Sequence, residues 1–155
     1  MKISIVASDL LDSEKLLCIQ KQAFKPLYDK YHDEQSPYLH TLADMQARIA
    51  RDDADYYKIM VEGELAGGLC VYNKSADDKW VAIVYVAPAY QNQKVAQTAL
   101  KLAEAKYPGA KTWGLDFPID RMANKKCYKA LGYNDTGKRL QINEKLTLAV
   151  YEKTL

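Results

Sequence analysis

The sequence predicts a single α/β domain of the α+β kind: a mixed, mostly antiparallel sheet of six to seven strands with about four helices on its faces. Three observations carry this prediction. Two arms of period two, YYKIMV (56–61) and LAGGLCVY (65–72), flank Glu62-Gly63-Glu64, the pattern of a β-hairpin. A nearly unbroken apolar run, Trp80–Pro88, leads into a helical pattern and then another strand-like run, KTWGLDF (111–117), as one parallel crossover requires. Two last strands, near 133–142 and 145–153, close the chain around Asn143-Glu144. With 155 residues the chain can bury one core, so 1–155 reads as one domain.

The elements follow in order. ISIV (3–6) is a short first strand, and Asp12–Phe24 is a helix with Leu16, Ile19, Ala23 and Phe24 on one side. Pro26 is expected to stop that helix, which leaves YDKYHDEQSPY (28–38) as a polar, tyrosine-bearing loop. Thr41 and Asp44 have capping-box spacing, and Leu42, Met45 and Ile49 continue a second helix to about Arg51. Gly67-Gly68, inside the second hairpin arm, predicts a bulge or a close backbone approach. Trp80–Pro88 has the composition of a central strand covered on both faces. Helices are predicted from about Lys94 to Tyr107 and from Arg121 to Leu131, the latter ended by Gly132. In that last helix Ala123, Cys127, Ala130 and Leu131 form the apolar stripe, Asn124 and Tyr128 stack on its rim, and Asp120 is the expected N-cap.

Bulk composition excludes several classes. Lys and Arg number 22 against 20 Asp and Glu, a net charge of +2, which gives no strong case for nucleic acid or an anionic membrane. No stretch is long and apolar enough to span a bilayer, and the N-terminus lacks a signal-peptide core, so the expected location is cytoplasmic. Cys18, Cys70 and Cys127 are scattered and odd in number, which fits reduced thiols rather than a disulfide or zinc framework. His32 and His40 are the only histidines, neither beside a nucleophile turn, and both read as surface imidazoles. No metal site is expected, because ligand residues nowhere cluster at metal-binding spacings.

The most informative stretch is VAPAYQNQKVAQTAL (86–100). No Asp or Glu occurs from Lys79 to Ala103, although helix N-termini usually attract acids. Gln91, Asn92, Gln93 and Lys94 supply amides and a cation instead, a setting suited to phosphate. On the residues alone, a chance gap in acids before an ordinary helix remains equally open. Tyr128 is similarly ambiguous, since a packing tyrosine and a cleft-facing proton donor share one pattern.

The same stretch resembles the acetyl-CoA-binding motif of the GNAT superfamily of N-acetyltransferases: strand, Val-x-Pro, Gln/Arg-x-x-Gly-x-Gly/Ala, helix. Gln91 stands at its first position and Ala96 at its last. FKPLYDKYHDEQSPY (24–38) is similar to the acceptor-side segment of a bacterial GNAT subgroup, TWGLDF to the fifth strand, and NKKCYKALGY (124–133) to the final helix motif. The resemblance implies a GNAT fold and an acetyl-CoA-dependent N-acetyltransferase acting on a primary amine of a small molecule or peptide by direct attack. It implies coenzyme binding by Val84, Val86, Gln91, Asn92, Gln93, Lys94, Val95, Ala96 and Asn124. Val86 would support the oxyanion and Tyr128 would protonate the thiolate. Asp116, an isolated acid in an otherwise apolar strand, is one candidate base, with His32, Asp33 and Glu34 as others; Gly114 stands where many relatives carry an acid. Dimers are common in the family, so a homodimer is an expectation. Lys94 replaces the motif glycine, and this supports the alternative of a catalytically impaired GNAT-fold module for acyl-CoA binding or interaction.

Overall fold

Glu62 and Gly63 both take left-handed backbone angles, φ 50° and 79°, the two-residue turn that matches the twist of a hairpin. In the computed structural model, which describes residues 1–155, this turn joins β2 (Ala54–Val61) to β3 (Glu64–Asn73). The remaining elements are β1 (Ile3–Ala7), α1 (Ser13–Tyr31), α2 (Leu42–Ile49), β4 (Asp78–Val86), α3 (Val95–Ala105), β5 (Thr112–Pro118), α4 (Met122–Ala130), β6 (Asn134–Gln141) and β7 (Thr147–Thr154). They build a seven-stranded sheet in the order β1-β2-β3-β4-β5-β7-β6, with β4 at its centre. Only the β4–β5 pair is parallel.

Each face of the sheet has its own core. On one, Leu100 and Ala103 of α3 and Leu131 pack with Ile59, Trp113 and Leu115. On the other, Leu16 of α1 and Met45 of α2 cover Tyr56, Cys70 and Ile83. The expected capping box of α2 forms, with Asp44 N–H donating to Thr41 Oγ1 at 3.2 Å and Thr41 N–H to Asp44 Oδ2 at 2.8 Å. No helix is long and apolar enough to cross a membrane.

Two register slips shape the centre. Opposite Ile59 and Met60, Ala66 is the extra residue of β3; opposite Cys70 and Val71, Ala82 is the extra residue of β4. The second slip places Val81 in one core while Ile83 and Tyr85 join the other, so β4 is covered on both faces. Gly67 answers to the close approach expected of it, because a Cβ there would collide with the backbone carbonyl of Tyr85.

Two local expectations are corrected. Pro26 does not end α1, which continues to Tyr31 and stops where His32 turns left-handed at φ 50°. Proline forfeits one hydrogen bond, but tertiary anchors hold the last turn. Tyr31 is buried and donates to Asp120 Oδ1 at 2.6 Å, while Asn143 Nδ2 donates to the Tyr31 carbonyl at 3.0 Å. Asp120 is therefore not the N-cap of α4; it accepts from Tyr31 and pairs with Lys30 at 3.1 Å, and Arg121 takes the cap position.

Candidate active site

β4 and β5 pair only at their starts, Asp78 with Thr112, Lys79 with Trp113 and Trp80 with Gly114. The bulge at Ala82 lies just beyond the last pair and bends β4 away, while β5 stays on β7 as far as Pro118 opposite Leu148. A cavity of about 210 Å³ occupies the resulting wedge, lined on one side by Val81–Val84 and on the other by Leu115–Pro118.

The ladder decides what the wedge offers. Ala87 N–H donates to the Ala66 carbonyl at 2.7 Å, so Ala87 and Tyr85 bond toward β3. By antiparallel alternation, the N–H groups of Val84 and Val86 turn to the opposite edge, where β5 has departed. Val86's carbonyl accepts from Gln91 Nε2 at 2.9 Å, which leaves its N–H unspent on that edge, although Val86 stands outside the cavity lining.

Beyond β4 a 3-10 turn, Pro88–Tyr90, leads into α3. Asn92 and Lys94 take left-handed angles, φ 62° and 61°, at positions where glycine is the usual solution. Each costs about 1–2 kcal/mol relative to a right-handed residue. None of the backbone N–H groups from Asn92 to Gln97 has an acceptor within the protein. Side-chain amides brace the loop instead of facing outward: Gln93 Nε2 donates to the Ala89 carbonyl at 3.2 Å, and Gln91 bonds as above. Val95 is buried, whereas Lys94 is exposed and stands outside the cavity lining.

The wedge's far side is closed by α4. Tyr128 is only 7 % exposed, with its ring 5.2 Å from Phe117 and 6.3 Å from Tyr133. It therefore lies on the inner face rather than the rim, together with Cys127 and Leu131, while Ala123 and Ala130 are exposed. Trp113 Nε1 and Arg121 Nε are the only sealed side-chain polar atoms without a partner, so the unpaired Tyr128 hydroxyl opens to the cavity it lines. Burial, then the neighbouring Cys127 and Asp116, push its pKa up and keep the phenol protonated at neutral pH. Asn124, one turn earlier, lines the same cavity.

Asp116 lies in β5 and also lines the cavity, with no partner for its carboxylate and a pKa raised by burial. Asp33 joins it there, whereas His32 and Glu34 are exposed and outside the lining. An acid at position 114 would be strained, because its Cβ would fall 2.7 Å from the Trp80 ring. His40 is half-buried rather than a free surface imidazole; its Nδ1 lies 3.1 Å from Gln20 Nε2. The cavity thus unites Val84, Asp116, Asn124 and Tyr128, and the loop 91–96 lies outside its lining. Phe24, Leu27 and Tyr31 of α1 line it as well. Sequence reasoning missed Leu27 and Tyr31 by ending the helix at Pro26; their i, i+4 spacing was the available signal.

Comparison with known proteins agrees with this architecture. The family model "Acetyltransferase (GNAT) family" matches residues 19–133. Among solved structures, the PaiA N-acetyltransferase from Thermoplasma acidophilum in complex with coenzyme A superposes with a TM-score of 0.81 at 18% identity, covering 100% of both chains. The RimL ribosomal L7/L12 α-N-protein acetyltransferase in complex with coenzyme A gives 0.81 at 12% identity, covering 100% of this chain and 95% of that one. The ribosomal-protein-S18-alanine N-acetyltransferase from Escherichia coli gives 0.77 at 14%, covering 99% and 94%. No curated protein matches by sequence. At these identities the structures share the fold, and the family model spans most of the sequence: the chain belongs to the GNAT acetyltransferase family.

Proposed function

We propose that this protein transfers an acetyl group from acetyl-CoA to a primary amine by direct attack within a ternary complex. One observation carries the reading: six consecutive unpaired N–H groups, Asn92 to Gln97, stand next to a wedge whose far wall holds an unpaired, protonated tyrosine. Such a run of donors suits a diphosphate, with no acid in the first turn of α3 to compete. The residues present fit the coenzyme, which when bound supplies a thioester activated for acyl transfer.

Each group of the chain then has a task. The free edge of β4 at Val84 and Val86 accepts an amide-bearing arm as a strand accepts a neighbour. Asn92, Gln93, Lys94, Val95 and Ala96 hold the diphosphate through backbone N–H groups, with the Lys94 ammonium adding charge; Gln91 fixes the loop to Val86. Asn124 contacts the arm from α4. The Val86 N–H donates to the carbonyl oxygen that gains charge during transfer. Asp116, whose pKa burial raises above the ordinary carboxylate value, takes a proton from the amine. Tyr128 gives a proton to the departing thiolate and is regenerated from solvent.

The test is thiol release from acetyl-CoA across a panel of primary amines, with Tyr128→Phe in parallel. The expected result is acceptor-dependent release that the substitution lowers at least tenfold; release indifferent to the substitution would overturn the role of Tyr128. No coenzyme binding at millimolar concentration would overturn the reading as a whole.

A further inference from the structure

The acceptor half of the cavity is built from different material than the coenzyme half. Its wall is Phe24, Leu27 and Tyr31 from α1, with Leu146 and Leu148 at the start of β7. Tyr31 spends its hydroxyl on Asp120 at 2.6 Å, and Ser36 Oγ accepts from Tyr38 N–H at 3.1 Å. The Pro37 carbonyl is likewise taken, by Gln20 Nε2 at 2.9 Å. Beside the Asn124 amide and the Tyr128 hydroxyl, which serve the coenzyme side, two carboxylates remain. Asp116 has no partner, and Asp33 spends only Oδ1, on the Gln35 N–H at 2.9 Å. No lysine, arginine or histidine lines the cavity.

From this we infer that the acceptor is a compact apolar primary amine that carries no carboxylate. An ammonium gains from both aspartates, whereas a carboxylate beside it would face two like charges with no cation to receive it. The apolar wall rewards a hydrocarbon body and offers few partners to a body that carries many hydroxyls. At about 210 Å³ the cavity is smaller than the ~300–1,000 Å³ of pockets that enclose drug-sized ligands. Free amino acids and large polyhydroxylated amines are therefore poor acceptors. The inference rests on the acetyl-transfer reading, and its test separates the two.

Three ligands of one skeleton isolate the charge: 3-methylbutylamine, leucinamide and leucine. Calorimetric titration of each into the protein saturated with coenzyme A reads binding without chemistry. Expected is 3-methylbutylamine and leucinamide binding within tenfold of one another, and leucine at least tenfold weaker than either. Asp33→Asn, which still accepts from Gln35, should narrow the gap for leucine. Leucine binding as tightly as the amine, or no binding of the amine at millimolar concentration, overturns the inference. Thiol release from acetyl-CoA is measured with the same ligands. Binding in the expected order without release keeps the acceptor class and removes the transferase reading. Release at equal rates with leucine and the amine keeps the transferase reading and removes the acceptor class.

Discussion

The two ends of β4 use the same backbone for opposite purposes. At the start, Lys79 and Trp80 are ordinary interior strand, paired on one side with β3 and on the other with β5, and the Trp80 ring lies over Gly114. A few residues later, Val84 and Val86 stay in register with β3, but their N–H groups turn to the other edge, which β5 has left and where Tyr128 and Asp116 line the gap. A free interior edge is normally a liability, because unpaired N–H and C=O groups want partners. Here one extra residue, Ala82, converts a closed ladder into an open one. The closed end holds the sheet together, and the open end is free to recruit a ligand in place of a strand.

Substitutions at the two ends should separate stability from chemistry. The largest effect belongs to the open end. Tyr128→Phe removes a cavity-facing hydroxyl that bonds no protein group, so turnover should fall at least tenfold while thermal stability is nearly unchanged. Parallel kinetics and melting curves check both halves of that statement. At the closed end, Gly114→Ala drives a methyl group into the Trp80 ring and should cost about 1–3 kcal/mol. Denaturant titration should show the loss, with coenzyme affinity of the folded fraction retained.

Asp116→Asn tests whether the wedge stores a destabilising charge. Burial raises the folded pKa of Asp116 above its ordinary 3.8, so the ionised form weakens the fold at any pH above that raised value. The substitution should stabilise the protein at pH 7, and the gain should fade as acid protonates the carboxyl in both folded and unfolded states. Acetyl transfer should fall at the same time. The smallest effect is expected from Lys94→Gly, where relief of a left-handed lysine is offset by a more flexible unfolded chain. Stability should change by less than ~1 kcal/mol, and coenzyme binding should persist with a weaker dependence on salt. Abolished binding would make the ammonium, rather than the N–H run, the principal diphosphate contact.

Much of this contrast was legible in the residues, and what was not has a physical reason. The change from period two to helical spacing located every strand and helix, and the apolar run at Trp80–Pro88 identified the central strand. The acid-free approach to α3 pointed to the loop where the N–H groups of Asn92–Gln97 lack acceptors, even with lysine in a glycine position. Pro26 misled because a local rule was weighed without Tyr31 and Asn143, which meet only in the folded chain. The stripe of α4 misled because Ala123 and Ala130 look like core residues, whereas the wedge selects the side that carries Asn124 and Tyr128. The wedge itself arises from a register slip at Ala82, and no residue type announces a slip.

Backbone amide NMR during titration with coenzyme A tests the open end most directly. The largest shifts are expected on the amides of Asn92–Gln97, with Val84 and Val86 moving in step and Asp78–Trp80 nearly still. Saturable binding that leaves the 92–97 amides unmoved, or no binding at millimolar coenzyme, would contradict it.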